Sequence, residues 1–532
     1  MAKQIIFLIV LIFFSPAFLM AQEPAINITD KIAKQESNRF VQKSRFSESQ
    51  NYSTYDLIYQ RMEWQVNPEI YYIAGAVTSV FKSKTAALSE IGFDLYAELI
   101  VDSIIQNKQH LNFSRAENRI TIELGQTLSE NETDSLTIFY QGEPGDSGFG
   151  SFARNSHNGA PIIWTLSEPY GALDWWPCKQ SLSDKIDSTD IIVTSPEQYR
   201  TASNGVLVSE TVNNGLRRMH WQHRYPIATY LVAIAVTNYI SYSDFVDLKD
   251  GRQIEILNYV YPEYETTARE NTPKTIGMMK LFNDLVGEYP FADEKYGHAQ
   301  FSWRGGMEHQ TMSFMYNFSF ELVAHELAHQ WFGDYITLGS WQDIWLNEGF
   351  ATYLTGLAYE NLQQEYWWKR WRRLNMERIT SEPDGSVFVQ DTLDVGRLFS
   401  SRLSYSKGAY LLHMLRWVVG DEPFFQAVRN YFEDPEVANG FARTSQFVNH
   451  LEAAGDTSLT EFFDDWFYGE GYPAYAAQYR NTESRQLEIK LSQVSSHESV
   501  SFFEMPVPVR VYNSSKTDSA SKKGHHHRKK DC

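Results

Sequence analysis

The segment His325-Glu326-Leu327-Ala328-His329 limits what this chain can fold into more than any other stretch. On a helix, residues four apart share a face, one turn of ~5.4 Å from each other. Two imidazoles so placed can hold one zinc ion and leave Glu326 to act on a water in the open position of the metal. A third protein ligand is then required. Glu348 follows after eighteen intervening residues, within Trp345-Leu346-Asn347-Glu348-Gly349-Phe350-Ala351, a gap that suits a loop and a second helix. A polar helix end with two satisfied histidines is the alternative. It fits poorly, because Leu322, Val323, Leu327, Ala328, Trp331 and Phe332 make the helix apolar and would bury the polar groups without compensation.

At 532 residues the chain is too long for one core, and its length points to about three domains. With 43% hydrophobic and 15% aromatic residues it has the composition of a packed globular protein. A net charge of -19 argues against a nucleic-acid partner. Residues 1–21 read as a secretory signal peptide: Lys3, an apolar run over 5–14, Pro16, then Leu19-Met20-Ala21 before Gln22. An uncleaved anchor is the weaker reading, since the run is near the lower limit of ~17–25 residues for a span. No other stretch is long and apolar enough to span, so export to the periplasm or the medium is expected. Two cysteines, Cys178 and Cys532, are too few for a disulfide scaffold. Cys178 lies in an aromatic stretch and reads as a buried apolar residue.

Residues 22–50 are polar and read as a linker. Over 51–241 short alternating runs separated by turn clusters predict a β-sandwich, with strands at 57–59, 70–73, 76–81, 93–101, 120–124, 136–140, 191–194 and 227–240. From about 266 the period becomes helical. Met278, Leu281, Phe282 and Leu285 form a stripe, and Tyr289-Pro290 is expected to end that helix. A strand over 298–303 precedes Gly305-Gly306-Met307-Glu308-His309. Helices are expected near 405–419, 422–434, 443–453 and 458–469, all within a mainly helical catalytic domain over 242–472. Residues 473–513 return to alternation, at 474–479, 487–491 and 507–511, as an incomplete small β-domain. The tail over 514–532 is polar, basic and rich in histidine. His525, His526 and His527 could bind a metal, but low complexity favours a disordered segment. The fold class is therefore multidomain α+β.

Three protein ligands leave a fourth position for water, the mark of a catalytic zinc site. Zinc lowers the water pKa from ~15.7 to about 7. Glu326 can take the water proton and return it to a leaving amine. Charge grows on the scissile carbonyl oxygen, where a tyrosine hydroxyl would help. The chain has 31 tyrosines, and their positions alone do not single one out. Glycines at 305 and 306 let backbone approach a substrate, and Glu308 beside them could hold a cation such as a free α-amine. A surface glutamate in a hairpin fits the same five residues equally well.

Taken together, these separated motifs resemble the aminopeptidase N family of zinc metallopeptidases, the gluzincins with H-E-x-x-H-x18-E, over residues 55–510. The resemblance implies one zinc per chain on His325, His329 and Glu348, with Glu326 as general base. Gly305-Gly306-Met307-Glu308-His309 matches the G-x-M-E-N exopeptidase motif, so Glu308 would bind the substrate amino terminus. His309 stands in place of the usual Asn, and its charge is expected to change near neutrality. Tyr405, in Tyr405-Ser406-Lys407-Gly408, matches the catalytic tyrosine. Glu168, shortly before Trp176-Pro177-Cys178, matches a second amine-binding carboxylate. Leu166 and Leu173 stand where many relatives carry Gln and Arg. The implied fold is a β-sandwich packed on a thermolysin-like domain, with Glu168 and Glu308 meeting across the cleft.

These readings converge on an exported zinc aminopeptidase acting on peptides with a free amino terminus. An endopeptidase or epoxide-type hydrolase on the same scaffold is the alternative chemistry. Glu168 and Glu308 speak against an endopeptidase, and Glu326 with Tyr405 against a non-catalytic binding protein.

Overall fold

The computed structural model describes residues 50–147, 150–482 and 486–510. The leader expected over 1–21, the linker up to residue 49 and the tail over 514–532 lie outside the described residues, as do 511–513.

The N-terminal part is built from three sheets. The largest has eight strands, ordered Val206–Asn213, Leu216–His223, Ser188–Pro196, Tyr55–Val66, Ile73–Ser83, Thr133–Gly142, Ile100–Gln106 and Gln109–His110. Tyr55–Val66 and Ser188–Pro196 run parallel; the other described pairings of this sheet are antiparallel. Along Tyr55–Val66 the alternation turns Met62, Trp64 and Val66 inward. Trp64 packs on Trp175 at 4.8 Å between ring centroids, and both share one core with the four-stranded and three-stranded sheets. Cys178 is buried in this core.

Three strand expectations here need correction. The run over 93–101 is two strands in different sheets, Leu88–Asp94 and Ile100–Gln106. Asp94 exchanges backbone hydrogen bonds with Cys178, the amides of Leu95 and Tyr96 bond to Asn118 and Leu173, and the chain turns away. The run over 70–73 is mostly turn: Ile70 N donates to Asn67 O and Ile70 is 55% exposed, so the strand begins at Ile73. The run over 227–240 holds a 3-10 turn, Thr229–Leu231, and the short strand Ile234–Thr237. All four residues of that strand are buried, so its apolar run reflects cover on both faces.

The catalytic part opens with a five-stranded sheet: Ile240–Asp247, Gln253–Val260, Lys295–Gln300, Ser313–Met315 and Gly306–Met307. The three central strands are parallel. The strand expected over 298–303 lies at Lys295–Gln300. The striped helix is Lys274–Leu285, and it stops before Tyr289, whose amide donates to Asn283 Oδ1. Helices Phe320–Ala328, Trp345–Leu362, Glu365–Ile379, Gly408–Val419, Asp421–Glu433 and Thr444–Gly455 surround a second core. Residues 401–407 form a π-helical turn before Gly408, and 464–468 another after Thr460–Phe463. Pro473–Asn481 and Leu487–Ser495 pair as a hairpin, but residues 507–510 form no strand. No helix among the described residues is long and apolar enough to cross a membrane.

The helix Trp345–Leu362 is the hub. Its residues 345–358 are all buried, as expected of a helix apolar on every side. It crosses Gly408–Val419 through two glycines. A Cβ on Gly349 would lie 3.0–3.3 Å from the Gly408 backbone, and one on Gly408 would lie 3.3 Å from Gly349 Cα. This close crossing brings the π-turn over 401–407 alongside Glu348. Replacing Gly349 by Ala should force the two backbones apart. The expected loss of stability is about 1–3 kcal/mol, measured by denaturant unfolding.

Candidate metal centre and cleft

The helix Phe320–Ala328 carries His325 and Glu326, and His329 caps it with helical backbone angles. Glu348 comes from the first turn of Trp345–Leu362. His325 Nε2 and His329 Nε2 are 3.2 Å apart, and they lie 3.3 and 3.5 Å from Glu348 Oε2. Three donors at the corners of a tetrahedron, each ~2.0–2.2 Å from a central zinc, are separated by about 3.3–3.6 Å. The triangle matches one face of such a tetrahedron. His329 Nδ1 donates to Phe332 O at 3.1 Å, which fixes the tautomer and turns the Nε2 lone pair toward the other donors.

Electrostatics favour a cation here. Glu168, Glu308, Glu326 and Glu348 are each at most 4% exposed. Glu168, Glu308 and Glu348 offer oxygens within 4.8 Å of one another, and Glu308, Glu326 and His329 form a similar group. Burial pushes the His325 imidazole below its ordinary pKa. Burial acts the same way on His329, but the charges of Glu308 and Glu348 outweigh it and hold the imidazole well above its usual value. Burial would raise Glu348, yet the two histidines hold it at about 2. Burial lifts the Glu308 carboxyl, with Glu348 adding to the rise and His329 opposing it. A divalent ion on the triangle would add positive charge to a space that holds four buried carboxylates.

The loop over 305–312 brings Glu308 to the cleft. Gly305 sits over the Trp303 ring, where a Cβ would lie 2.3 Å from ring carbon. Gly306 and Met307 pair with Met315 and Phe314. A Cβ on Gly306 would lie 2.2 Å from Glu326 Oε1, so the bare backbone makes room for that carboxylate. Tyr405, on the π-turn, is 1% exposed and its ring lies 5.9 Å from the His325 ring at 13°. The structure thus gathers Glu168, Glu308, Glu326, Glu348, His325, His329 and Tyr405 into one buried cluster.

His309 differs from expectation. It is fully buried, packs edge-on against Phe314 at 4.3 Å, and neither ring nitrogen finds a hydrogen-bond partner among the described residues. Burial pushes its pKa to about 3, so the imidazole stays neutral through the physiological range. Leu166 and Leu173 are buried in the N-terminal core and bring no polar group.

Several residues that support the site were not singled out in the sequence. Gln330, next to His329, donates from Nε2 to Glu308 O at 3.0 Å and accepts from Thr311 N at 2.8 Å. Asn204 Nδ2 donates to Gln310 O at 2.8 Å, and Lys295 Nζ to Thr311 O at 2.7 Å. Lys185 Nζ donates to the carbonyls of Asp334 and Tyr335 at 2.7 and 3.1 Å, and burial lowers its pKa to about 7. Asn347 Nδ2 donates to the Tyr230 hydroxyl at 3.3 Å. Burial, then the charges of Glu308 and Glu168, push that phenol well above its usual range. A polar residue inside an apolar run was the available signal for Gln330; the others depend on tertiary contact alone.

Two histidines and a glutamate in a tetrahedral triangle, with a further glutamate beside them, form a donor set typical of metallopeptidases. Residues 300–466 match the peptidase family M1 domain, and residues 48–231 match the peptidase M1 N-terminal domain. The chain belongs to peptidase family M1. It is 29% identical to glutamyl aminopeptidase of Sus scrofa over 66% of its length and 39% of the relative's, and 27% identical to aminopeptidase M1 of Arabidopsis thaliana over 74% and 46%. The chain therefore spans less than half the length of these curated relatives. A substrate-bound (Tyr-Ser-Ala) mutant of an M1 zinc metallopeptidase from Deinococcus radiodurans aligns with a TM-score of 0.66 and 25% identity, over 76% of this chain and 93% of that one. The multidomain α+β fold agrees with these likenesses, and zinc is the metal of that relative.

Replacing Gly306 by Ala would displace the Glu326 carboxylate without touching a metal donor. Activity should fall about a hundredfold, the scale of a 1 Å misplacement. Bound zinc, measured by atomic absorption, and the thermal midpoint should stay near those of the unaltered protein.

Proposed function

We propose that this protein is a zinc aminopeptidase that hydrolyses the first peptide bond of peptides with a free amino terminus. The observation that carries the reading is the buried group of Glu168 and Glu308 next to Glu348. Glu348 is a metal donor in this reading, and the other two are left to take a second positive group. A substrate α-ammonium is that group. It donates charge-assisted hydrogen bonds to the two carboxylates. An internal peptide amide would face two carboxylates with no charge to offer.

One zinc per chain, on His325, His329 and Glu348, would supply Lewis-acid polarisation of the scissile carbonyl and a water pKa lowered to about 7. Glu326 takes a proton from the attacking water on its carboxylate and delivers it to the departing amine. Gly306 keeps the space that this carboxylate occupies. The Tyr405 hydroxyl donates to the carbonyl oxygen as negative charge builds there. Glu168 and Glu308 fix the amino terminus, so the first peptide bond is the one presented. The short strand Gly306–Met307, with Gly305 before it, lies along the substrate, and His309 supports the loop by packing on Phe314. The leader read over residues 1–21 supports export, which N-terminal sequencing of the processed chain would test.

The test is hydrolysis of aminoacyl-arylamides beside their N-acetylated forms. Free amines should be cleaved, and acetylation should lower kcat/KM at least about a hundredfold, since charged hydrogen bonds contribute about 1.5–3 kcal/mol each. Glu326→Gln should lower kcat by about 10²–10⁴ with zinc retained. Equal cleavage of blocked substrates would instead mark an endopeptidase.

A further inference from the structure

A cavity of about 390 Å³ opens beside the residues that follow Glu168. Pro169 and Tyr170, which follow Glu168 in the chain, form one wall. Tyr230 forms another and links the cavity to the cleft, because its hydroxyl accepts from Asn347, the neighbour of Glu348. The rings of Tyr170 and Tyr230 both lean on Trp341, at 5.7 and 5.6 Å between centroids. Leu182 and Leu393 add apolar surface, and Gln180, Ser181, Thr229, Ser340 and Thr392 add polar but uncharged groups to the lining. A residue whose α-amine rests on Glu168 and Glu308 would have this cavity beside it.

The charges around the cavity decide what it can take. Arg443 is the cation in its lining, and it is paired with Asp343 at 3.2 Å. The same Asp343 carboxylate accepts from Thr444 Oγ1 at 2.6 Å, so the pair is held in place. An acidic side chain finds there only a cation that Asp343 already engages, and it would sit near the charges of Glu168 and Glu308 that act on Tyr230. A basic side chain finds no spare carboxylate in the lining. A methyl group would leave three aromatic surfaces wet. A flat ring meets Tyr170, Tyr230 and Trp341 in the offset and edge-on arrangements that aromatic pairs prefer.

We infer that this cavity receives the side chain of the N-terminal residue and selects aromatic residues, with Trp341 as the specificity-determining side chain. The inference rests on the aminopeptidase reading and adds to it the class of peptide cleaved: those beginning with Tyr, Phe or Trp.

The experiment compares kcat/KM of the zinc-loaded full chain on Tyr-, Phe-, Ala-, Glu- and Lys-arylamides. The aromatic substrates should exceed the other three at least tenfold. Trp341→Leu removes the central ring, and Leu182→Trp fills the cavity from its side. Each should reduce the ratio of Tyr to Ala at least fivefold, and the second variant keeps the test open if the first fails to fold. A ratio is read because loss of folded protein lowers both substrates together. Aromatic substrates no better than Ala, Glu or Lys, or a ratio unchanged in the folded variants, overturns the inference while cleavage of free amines sustains the aminopeptidase reading. Failure to cleave every free-amine substrate overturns both.

Discussion

Four glutamates and two histidines share one buried space, and almost everything around them serves to make that tolerable. Carboxylates taken out of water repel one another unless positive charge or hydrogen bonds compensate. Here the two imidazoles supply only part of the compensation, and the charges of Glu308 and Glu348 push the His329 imidazole well above its ordinary pKa. In the proposed function, a metal ion on one side and a substrate ammonium on the other would complete the balance. The same crowding explains why the supporting groups are so closely fixed. A carboxylate that drifted would change the charge seen by all its neighbours.

Backbone, more than side chains, does the fixing. The Gly349–Gly408 crossing brings the helix bearing Glu348 against the turn bearing Tyr405 with no side chain between them. Gly306 does the same for Glu326. Gln330 clamps the Glu308 loop from the position next to His329, while Asn204 and Lys295 hold its far end. The two histidines and the proposed amine-binding loop are therefore tied to one short piece of chain.

The meeting of His325, His329 and Glu348 was legible because its signal is local: helical spacing for two histidines, and a fixed gap to the glutamate. The helical half was legible in outline because stripes such as Met278, Leu281, Phe282 and Leu285 follow one face. The sheet boundaries were less so. Residues 93–101 look like one strand, but Asp94 pairs with Cys178, more than eighty positions away. The apolar run over 227–240 cannot reveal that Asn204 side-chain bonds to Leu231 and Ala233 bend it. His309 was misread for the same reason. A histidine beside a catalytic loop suggests a titrating group, and only its burial against Phe314 shows otherwise. Tyr230, Trp341 and Lys185 gain their places through packing between distant segments, which no spacing rule encodes.

Lys185 crosses from the β-rich part to hold the carbonyls of Asp334 and Tyr335, just beyond the last histidine of the triad. Glu168 arrives in the cleft from that same β-rich part. Neither half is then a self-sufficient module. Cut apart, the helical half would lose the ammonium group that secures the segment after His329, and the β-rich half would keep a carboxylate with nothing to face. Insertions, fusions and domain exchanges would be confined to the outer surfaces of the two halves, leaving their shared seam to be inherited whole.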